Sequence, residues 1–232
     1  MRNLVYLISG ILVLSTSTAC VPQPEPQPER RGNLVTNPTT PTAKPVNSTA
    51  NQTPLPTTKP KSRPSKKTVT DEWTHRQLPV RLFDREGIPF TTYFPESDFI
   101  VESAGSGEGT GVWFYSKVGG KKDKSAYVHF FFPANSSTVE AMRRGVTGKR
   151  GLMESNNWQV KRRTQDVAYS WAKERIDFEK PTGNQSIMGT VFIGEYKGKA
   201  FRVTEHFPAD SGDGFSPRAS IILRELQLRN SN

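Results

Sequence analysis

The residues able to do chemistry are few and scattered. The histidines are His75, His129 and His206, and the single cysteine is Cys20. Common zinc sites need histidines or cysteines at short fixed intervals, so that several donors converge. No such pair occurs, and neither a metal nor a cofactor is expected. His129 lies in the aromatic run 125–132, where a histidine satisfied in or near a core is the expectation. His206 shares strand parity with Arg202 and Thr204, and Asp210 and Asp213 follow closely. Arg202, His206, Asp210 and Asp213 therefore make one candidate polar site. A second candidate is cationic. Arg143, Arg144, Lys149 and Arg150 lie on or after an expected helix, and Lys161, Arg162 and Arg163 follow. If the helix end and the next strand are neighbours, these seven form an anion-binding patch; the competing reading is two solvated amphipathic elements. Gly105, Gly107, Gly109 and Gly111 miss the G-x-G-x-x-G spacing and lack a Gly-Lys-Ser/Thr ending. A nucleophile elbow is also missing, and residues 210–214 lack the ligand spacing of a calcium loop. No catalytic residue is assigned, and the chain is not expected to be an enzyme.

These residues sit in a chain of uneven composition. It has 232 residues and a formal charge of +10. Residues 21–70 hold 11 of the 18 prolines and no aromatic residue, whereas 22 of the 23 aromatics lie in 71–232. Such a Pro/Thr-rich stretch cannot bury enough apolar surface to offset the entropy of ordering. The expected organisation is a leader over 1–19, a disordered basic linker over 20–70 and a globular body over 71–232. The linker carries 8 basic and 2 acidic residues, and the body 23 and 20, so most of the basicity belongs to the linker. Its densest cluster runs from Lys59 to Lys67.

The leader has a positive start (Arg2), 11 mostly apolar residues from Leu4 to Leu14, and a run of small residues. That is the layout of a secretory signal. It is too short for a transmembrane helix, which takes about 20 apolar residues. Ser17, Thr18 and Ala19 immediately before Cys20 resemble a bacterial lipobox, although such signals usually carry Leu at the first of these positions. The resemblance implies cleavage before Cys20 and acylation of it, including a diacylglycerol thioether. With about 0.8 kcal/mol per buried methylene, several acyl chains would hold the protein on a membrane. The expected location is outside the cytoplasm, at an outer membrane or on the lumenal side of a thylakoid. Nucleic acid is not an expected partner there.

The body reads as α+β, with a mostly antiparallel central sheet flanked by helices. Strands are expected at 90–94, 99–102, 111–116, 125–132, 158–163, 168–178, 188–196 and 200–207. Gly119-Gly120 and Lys197-Gly198 should turn two hairpins. In 125–132, Val128, Phe130 and Phe132 face one way and Tyr127, His129 and Phe131 the other. Apolar residues on both faces indicate a central strand covered on both sides. A helix is expected from Ser137, with Glu140 at capping-box spacing, breaking near Thr147 and resuming near Leu152. A closing helix is expected from Ser216-Pro217, with Ala219, Ile222, Leu223 and Leu226 as its apolar stripe.

This order of elements, with Tyr93-Phe94-Pro95, the 189–207 hairpin and the lead from Phe207-Pro208 to Ser216-Pro217, resembles the PsbP-like α/β/α sandwich. The leader and linker are similar to those of cyanobacterial lipoproteins. The resemblance implies a non-enzymatic exported accessory or binding domain, associated with a membrane complex or an anionic envelope polymer. A cell-envelope enzyme acting on wall polymer, or an assembly factor for a photosynthetic membrane complex, are the alternatives.

Overall fold

The computed structural model describes residues 63–183 and 185–229. The leader over 1–19, the acylation expected at Cys20 and the linker up to residue 62 lie outside the described residues. Eleven strands and three helices follow one another in the body. They are β1 (Lys66–Thr70), β2 (Gln77–Asp84), β3 (Phe90–Phe94), β4 (Phe99–Ser106), β5 (Gly109–Val118) and β6 (Lys121–Pro133), then helices α1 (Val139–Thr147) and α2 (Leu152–Ser155). Next come β7 (Gln159–Thr164), β8 (Ala172–Thr182), β9 (Gln185–Tyr196), β10 (Lys199–Pro208), α3 (Gly212–Arg224) and β11 (Gln227–Leu228). Every strand pair is antiparallel, and the fold is α+β.

The larger sheet runs β4-β5-β6-β10-β9-β8-β7, and a smaller one runs β1-β2-β3-β11. The larger sheet consists of two meanders joined edge to edge, β4-β5-β6 and β7-β8-β9-β10, through the pairing of β6 with β10. Two tight turns hold the hairpins in register. Gly119 and Gly120 have φ of 57° and 79°, and Lys197 and Gly198 have 53° and 71°. Positive φ at both central residues is the turn geometry that matches strand twist. Glycine adopts it freely, whereas Lys197 bears a cost of about 1 kcal/mol.

One face of the large sheet meets the small sheet and α3. Phe90 stacks on Phe130 with centroids 4.5 Å apart, and Phe83 and Phe94 meet Phe114 edge-on at 5.4 and 5.5 Å. Phe90, Phe114, Phe130, Phe201, Ile222 and Leu223 are fully buried in this layer. On the opposite face, α1 packs on β9 and β10. Met142, Val146, Met153 and Trp158 close over Ile176, Phe178, Val191, Ile193 and Ala200.

The structure moves several boundaries. Lys66–Thr70, expected in the linker, is β1 and pairs with β2. Tyr93 is the reason: Arg63 and Lys67 lie 4.4 and 4.3 Å from its ring centroid, and its hydroxyl donates to Pro64 O at 2.7 Å. Glu225 accepts from Lys67 Nζ at 2.7 Å, so charges that look solvated in the sequence are held against Tyr93 and Glu225. The cap of α1 is Thr138, whose hydroxyl accepts from Ala141 N at 3.1 Å, and Ser137 stands one residue outside. Helix α3 starts at Gly212, before Ser216, and takes Pro217 into its interior. β8 starts at Ala172 because Tyr169 and Trp171 stack on each other, centroids 5.4 Å apart, and the Trp171 indole donates to Leu223 O at 3.1 Å.

Deleting residues 63–70 from the chain should lower its unfolding free energy by about 2–4 kcal/mol, through lost burial of Val69 and lost bonds to Tyr93 and Glu225. Urea unfolding of this deletion against the intact chain measures the difference; an unchanged midpoint would place the start of the body at residue 71.

Candidate functional site: an aromatic half-face of the large sheet

The chain path between β6 and β7 decides where the sheet is open. It crosses from the centre of the sheet to its far edge and carries α1 and α2 over β8, β9 and β10. The equivalent face of β4, β5 and β6 retains a set of partly exposed side chains: Trp113, Tyr115, Tyr127, His129 and Phe131, with Arg202 and His206 beside them on β10. Cross-strand register builds the array. Tyr115 pairs with Tyr127 and Trp113 with His129. Phe131 pairs with Arg202, and Tyr127 with His206.

The rings form a connected layer. Trp113 stacks on His129 with centroids 4.2 Å apart and planes within 6°. Tyr127 stacks on His206 at 4.8 Å and meets Tyr115 edge-on at 6.0 Å. His206 also approaches Trp158, at 5.5 Å, where the helical cover begins. The Arg202 guanidinium lies 4.6 Å over Phe131, a contact worth about 0.5–2 kcal/mol. Gly111 allows this packing, because a Cβ there would lie 2.4 Å from the Trp113 ring and 3.0 Å from His129 Nε2. At the rim, Lys122 sits 4.9 Å over Tyr115 and pairs with Glu102 at 2.5 Å.

Burial sets the protonation of this layer. It pushes His129 down to about 3, with the Arg202 charge adding to the effect. It also pushes Tyr127 up to about 12 and lowers His206, which lies 2.8 Å from Ser125 O through Nδ1. The layer therefore presents neutral rings and one cation at ordinary pH. His129 Nε2 and Arg202 Nε are buried without a hydrogen-bond partner among the described residues. This arrangement suits a binding surface. The described residues contain no group of three or more His, Cys, Asp or Glu placed to hold a metal ion.

The sequence-derived candidates distribute differently. Arg202 and His206 belong to this layer. Asp210 instead bonds Gln185 Nε2 at 3.2 Å and lines a cavity with Asp98, Asp123 and Arg218, while Asp213 lies in the first turn of α3. The four do not converge. In the cationic set, Arg143 and Arg163 both bond the carboxylate of Glu174, which is 1% exposed, and Lys161 pairs with Glu179 at 3.1 Å. These three neutralise carboxylates on β8; Glu174 lowers the charge and also raises the Arg143 pKa through its hydrogen bond. Arg144, Lys149, Arg150 and Arg162 are exposed with no carboxylate at ion-pair distance among the described residues. Trp113 and Tyr115 were not singled out by sequence. Their signal is the alternation in Gly111–Ser116, which puts both on the face shared with Tyr127.

A partly buried carboxylate lies on the opposite face of β10. Glu205 is pushed up to about 7 by burial, only partly opposed by Arg175. Its neighbour across β9 is Thr190, which donates to Asp177 at 2.8 Å; Arg175 donates to the same oxygen at 2.7 Å.

No family model matches the sequence, and no curated protein does either. Among solved structures, the chain is similar to the solution structure of cyanobacterial PsbP from Synechocystis sp. PCC 6803. The identity is 9% and the TM-score 0.46, over 65% of this chain and 92% of that one. It is also similar to a crystal structure from Bacteroides thetaiotaomicron, at 17% identity and a TM-score of 0.39, over 65% of this chain and 48% of that one. The chain thus spans about half the length of the second protein.

Two predictions follow from these charges. Glu174→Gln should cost about 2 kcal/mol in urea unfolding, since it weakens charge-assisted bonds to two arginines that join α1, β7 and β8; a cost near zero would show that those pairs add nothing. The pH profile has a defined shape. Between pH 6.5 and about 3 the unfolded chain binds a proton at His129 that the native state refuses, so stability falls as pH falls. Between about 4.5 and 7 native Glu205 holds a proton that the unfolded chain releases, so stability falls as pH rises. His129→Gln should flatten the acid limb, and Glu205→Gln should stabilise the protein at pH 8. An unchanged profile in both variants would contradict these protonation states.

Proposed function

We propose that the protein is an exported, lipid-anchored accessory module that docks a protein of a membrane complex through the aromatic half-face of its large sheet. The observation that carries this is the set Trp113, Tyr115, Tyr127, Phe131 and Arg202, gathered on one partly exposed face beside a helical layer that covers the other half. Tyrosine, tryptophan and arginine are the residues enriched among those that dominate protein interfaces energetically, and the two aromatics bury large area at low entropic cost. An aqueous partner with a complementary apolar patch would bury these rings, and Arg202 would supply an orienting charge. Support for the anchor comes from Cys20 after Ser17-Thr18-Ala19 and from the Pro/Thr-rich linker, which would act as a spacer between bilayer and body.

A second reading rests on Arg144, Lys149, Arg150 and Arg162, whose charges have no ion-pair partner among the described residues. They favour an anionic envelope polymer, bound with the salt dependence of exposed charges.

Purification of the full chain from detergent-solubilised membranes tests both readings. Co-purification of a defined stoichiometric partner that falls at least tenfold, about 1.4 kcal/mol, in Trp113→Ala/Tyr115→Ala is expected. Thermal melting of the double variant controls for folding, and Tyr115→Ala alone disturbs the layer least. Equal recovery with both variants would overturn the docking face. Loss only in Arg144→Glu/Arg162→Glu, reversed by salt, would move the function to the cationic surface. Cys20→Ser should release the protein into the soluble fraction; continued membrane association would remove the anchor from the account.

A further inference from the structure

At the other end of the large sheet, away from the ring layer of Tyr115 and Tyr127, lies a cavity of about 440 Å3. That volume is within the range of sites that hold small molecules, about 300–1,000 Å3. Four parts of the chain meet around it: the β2–β3 loop at Gly87–Pro89, the end of β6, the β9–β10 turn and Arg229 after β11. Its floor is apolar, with Ile88 and Ala200 buried and Phe132 stacked on Phe201 at 4.8 Å. Its charged lining residues are Lys197, Lys199 and Arg229, and among the described residues no carboxylate lines it, although Asp84 pairs with Arg229 behind it.

Three observations connect these cations to an anion. Arg229 holds its place by donating its backbone N–H to Pro89 O at 2.9 Å and its guanidinium to Asp84 and to Arg85 O. Asp84 satisfies one end of that guanidinium, and the side chain, 39% exposed, keeps the rest of it at the cavity rim. Lys197 occupies a left-handed turn position where asparagine or glycine would be cheaper, and its ammonium lies 4.9 Å from the Tyr196 ring at the cavity wall. Lys199, two residues on, is exposed and makes no ion pair among the described residues. An apolar floor with a cationic rim selects for two features in one molecule.

We infer that this cavity binds a small amphipathic anion, with a phosphate or carboxylate head held by Lys197, Lys199 and Arg229 and a hydrocarbon or ring body lying on Ile88, Phe132 and Ala200. A soluble organic phosphate and an anionic phospholipid both present a negatively charged phosphate beside an apolar body, and the two sources separate experimentally. The site is independent of the aromatic half-face, so either can fail without the other.

The test uses the full chain carrying Cys20→Ser, so that an acyl anchor cannot dominate, and 1-naphthyl phosphate as probe. Backbone amide resonances of residues 87, 88, 196–200 and 229 should shift saturably. 1-Naphthol and inorganic phosphate, each lacking one of the two features, should bind at least tenfold more weakly. Lys197→Asn/Lys199→Gln should weaken naphthyl phosphate at least fivefold without lowering the melting temperature, because Asn-Gly suits the turn better than Lys-Gly. Vesicles of phosphatidylglycerol and phosphatidylcholine form the second arm. Sedimentation with them that the double variant loses assigns the head group to lipid; binding of the soluble probe without sedimentation assigns it to a free anion. Absence of both, or binding of either kind that the double variant retains in full, overturns the site.

Discussion

The pairing of β6 with β10 is the constraint on which the rest of the fold depends. It joins two antiparallel meanders into one sheet of seven strands, and it obliges the chain leaving β6 to travel to the far edge before β7 can begin. The helices made on that journey come to lie over the second meander. The first meander has no equivalent crossover, so its rings on that side form their own layer. On the opposite face the small sheet and α3 cover β5, β6, β9 and β10 with phenylalanines from Phe83 and Phe90 to Phe201, while β8 leaves Arg175 and Asp177 partly exposed there.

Charge follows the same geography. Where helices cover the sheet, the one carboxylate they trap, Glu174, is bonded to an arginine from α1 and another from β7. A buried carboxylate with two charge-assisted bonds is tolerable; one without them is not. Glu205 has no bonded cation of its own, and burial shifts it toward the neutral form. In the ring layer the same penalty falls on His129, which responds by staying neutral under Trp113. The outcome is a surface of neutral rings carrying a single guanidinium, which suits recognition of a complementary apolar patch.

Much of the fold was legible in the sequence because it is written in short-range terms. Two-residue turns at Gly119-Gly120 and Lys197-Gly198, alternation in the aromatic strands and the stripe of the last helix each need only neighbouring residues. The strand Lys66–Thr70 was hidden because its lysine-rich sequence looks solvated; Tyr93 and Glu225, which hold it, are remote in the chain. The same difficulty applied to the basic cluster, where Arg143 and Arg163 count as surface charges until β8 brings Glu174 between them. The ring layer was half visible. Tyr127, His129 and Phe131 share a parity that reads as core, and only the sheet order shows that the covering helices stop at β10. The separation of Asp210 and Asp213 from His206 was likewise invisible, since closeness in sequence at the end of a strand says nothing of which way the following turn leads.

With the anchor and docking face proposed above, the body would be held near a bilayer and would offer one aromatic surface to its surroundings. The most direct test is photocross-linking of the intact protein in its native membranes, with benzoylphenylalanine placed at position 115 on the ring layer or at position 160 on the exposed edge strand β7. The account predicts one discrete cross-linked product from position 115 and none from 160. Equal labelling from both, or a product from 160 alone, would contradict it.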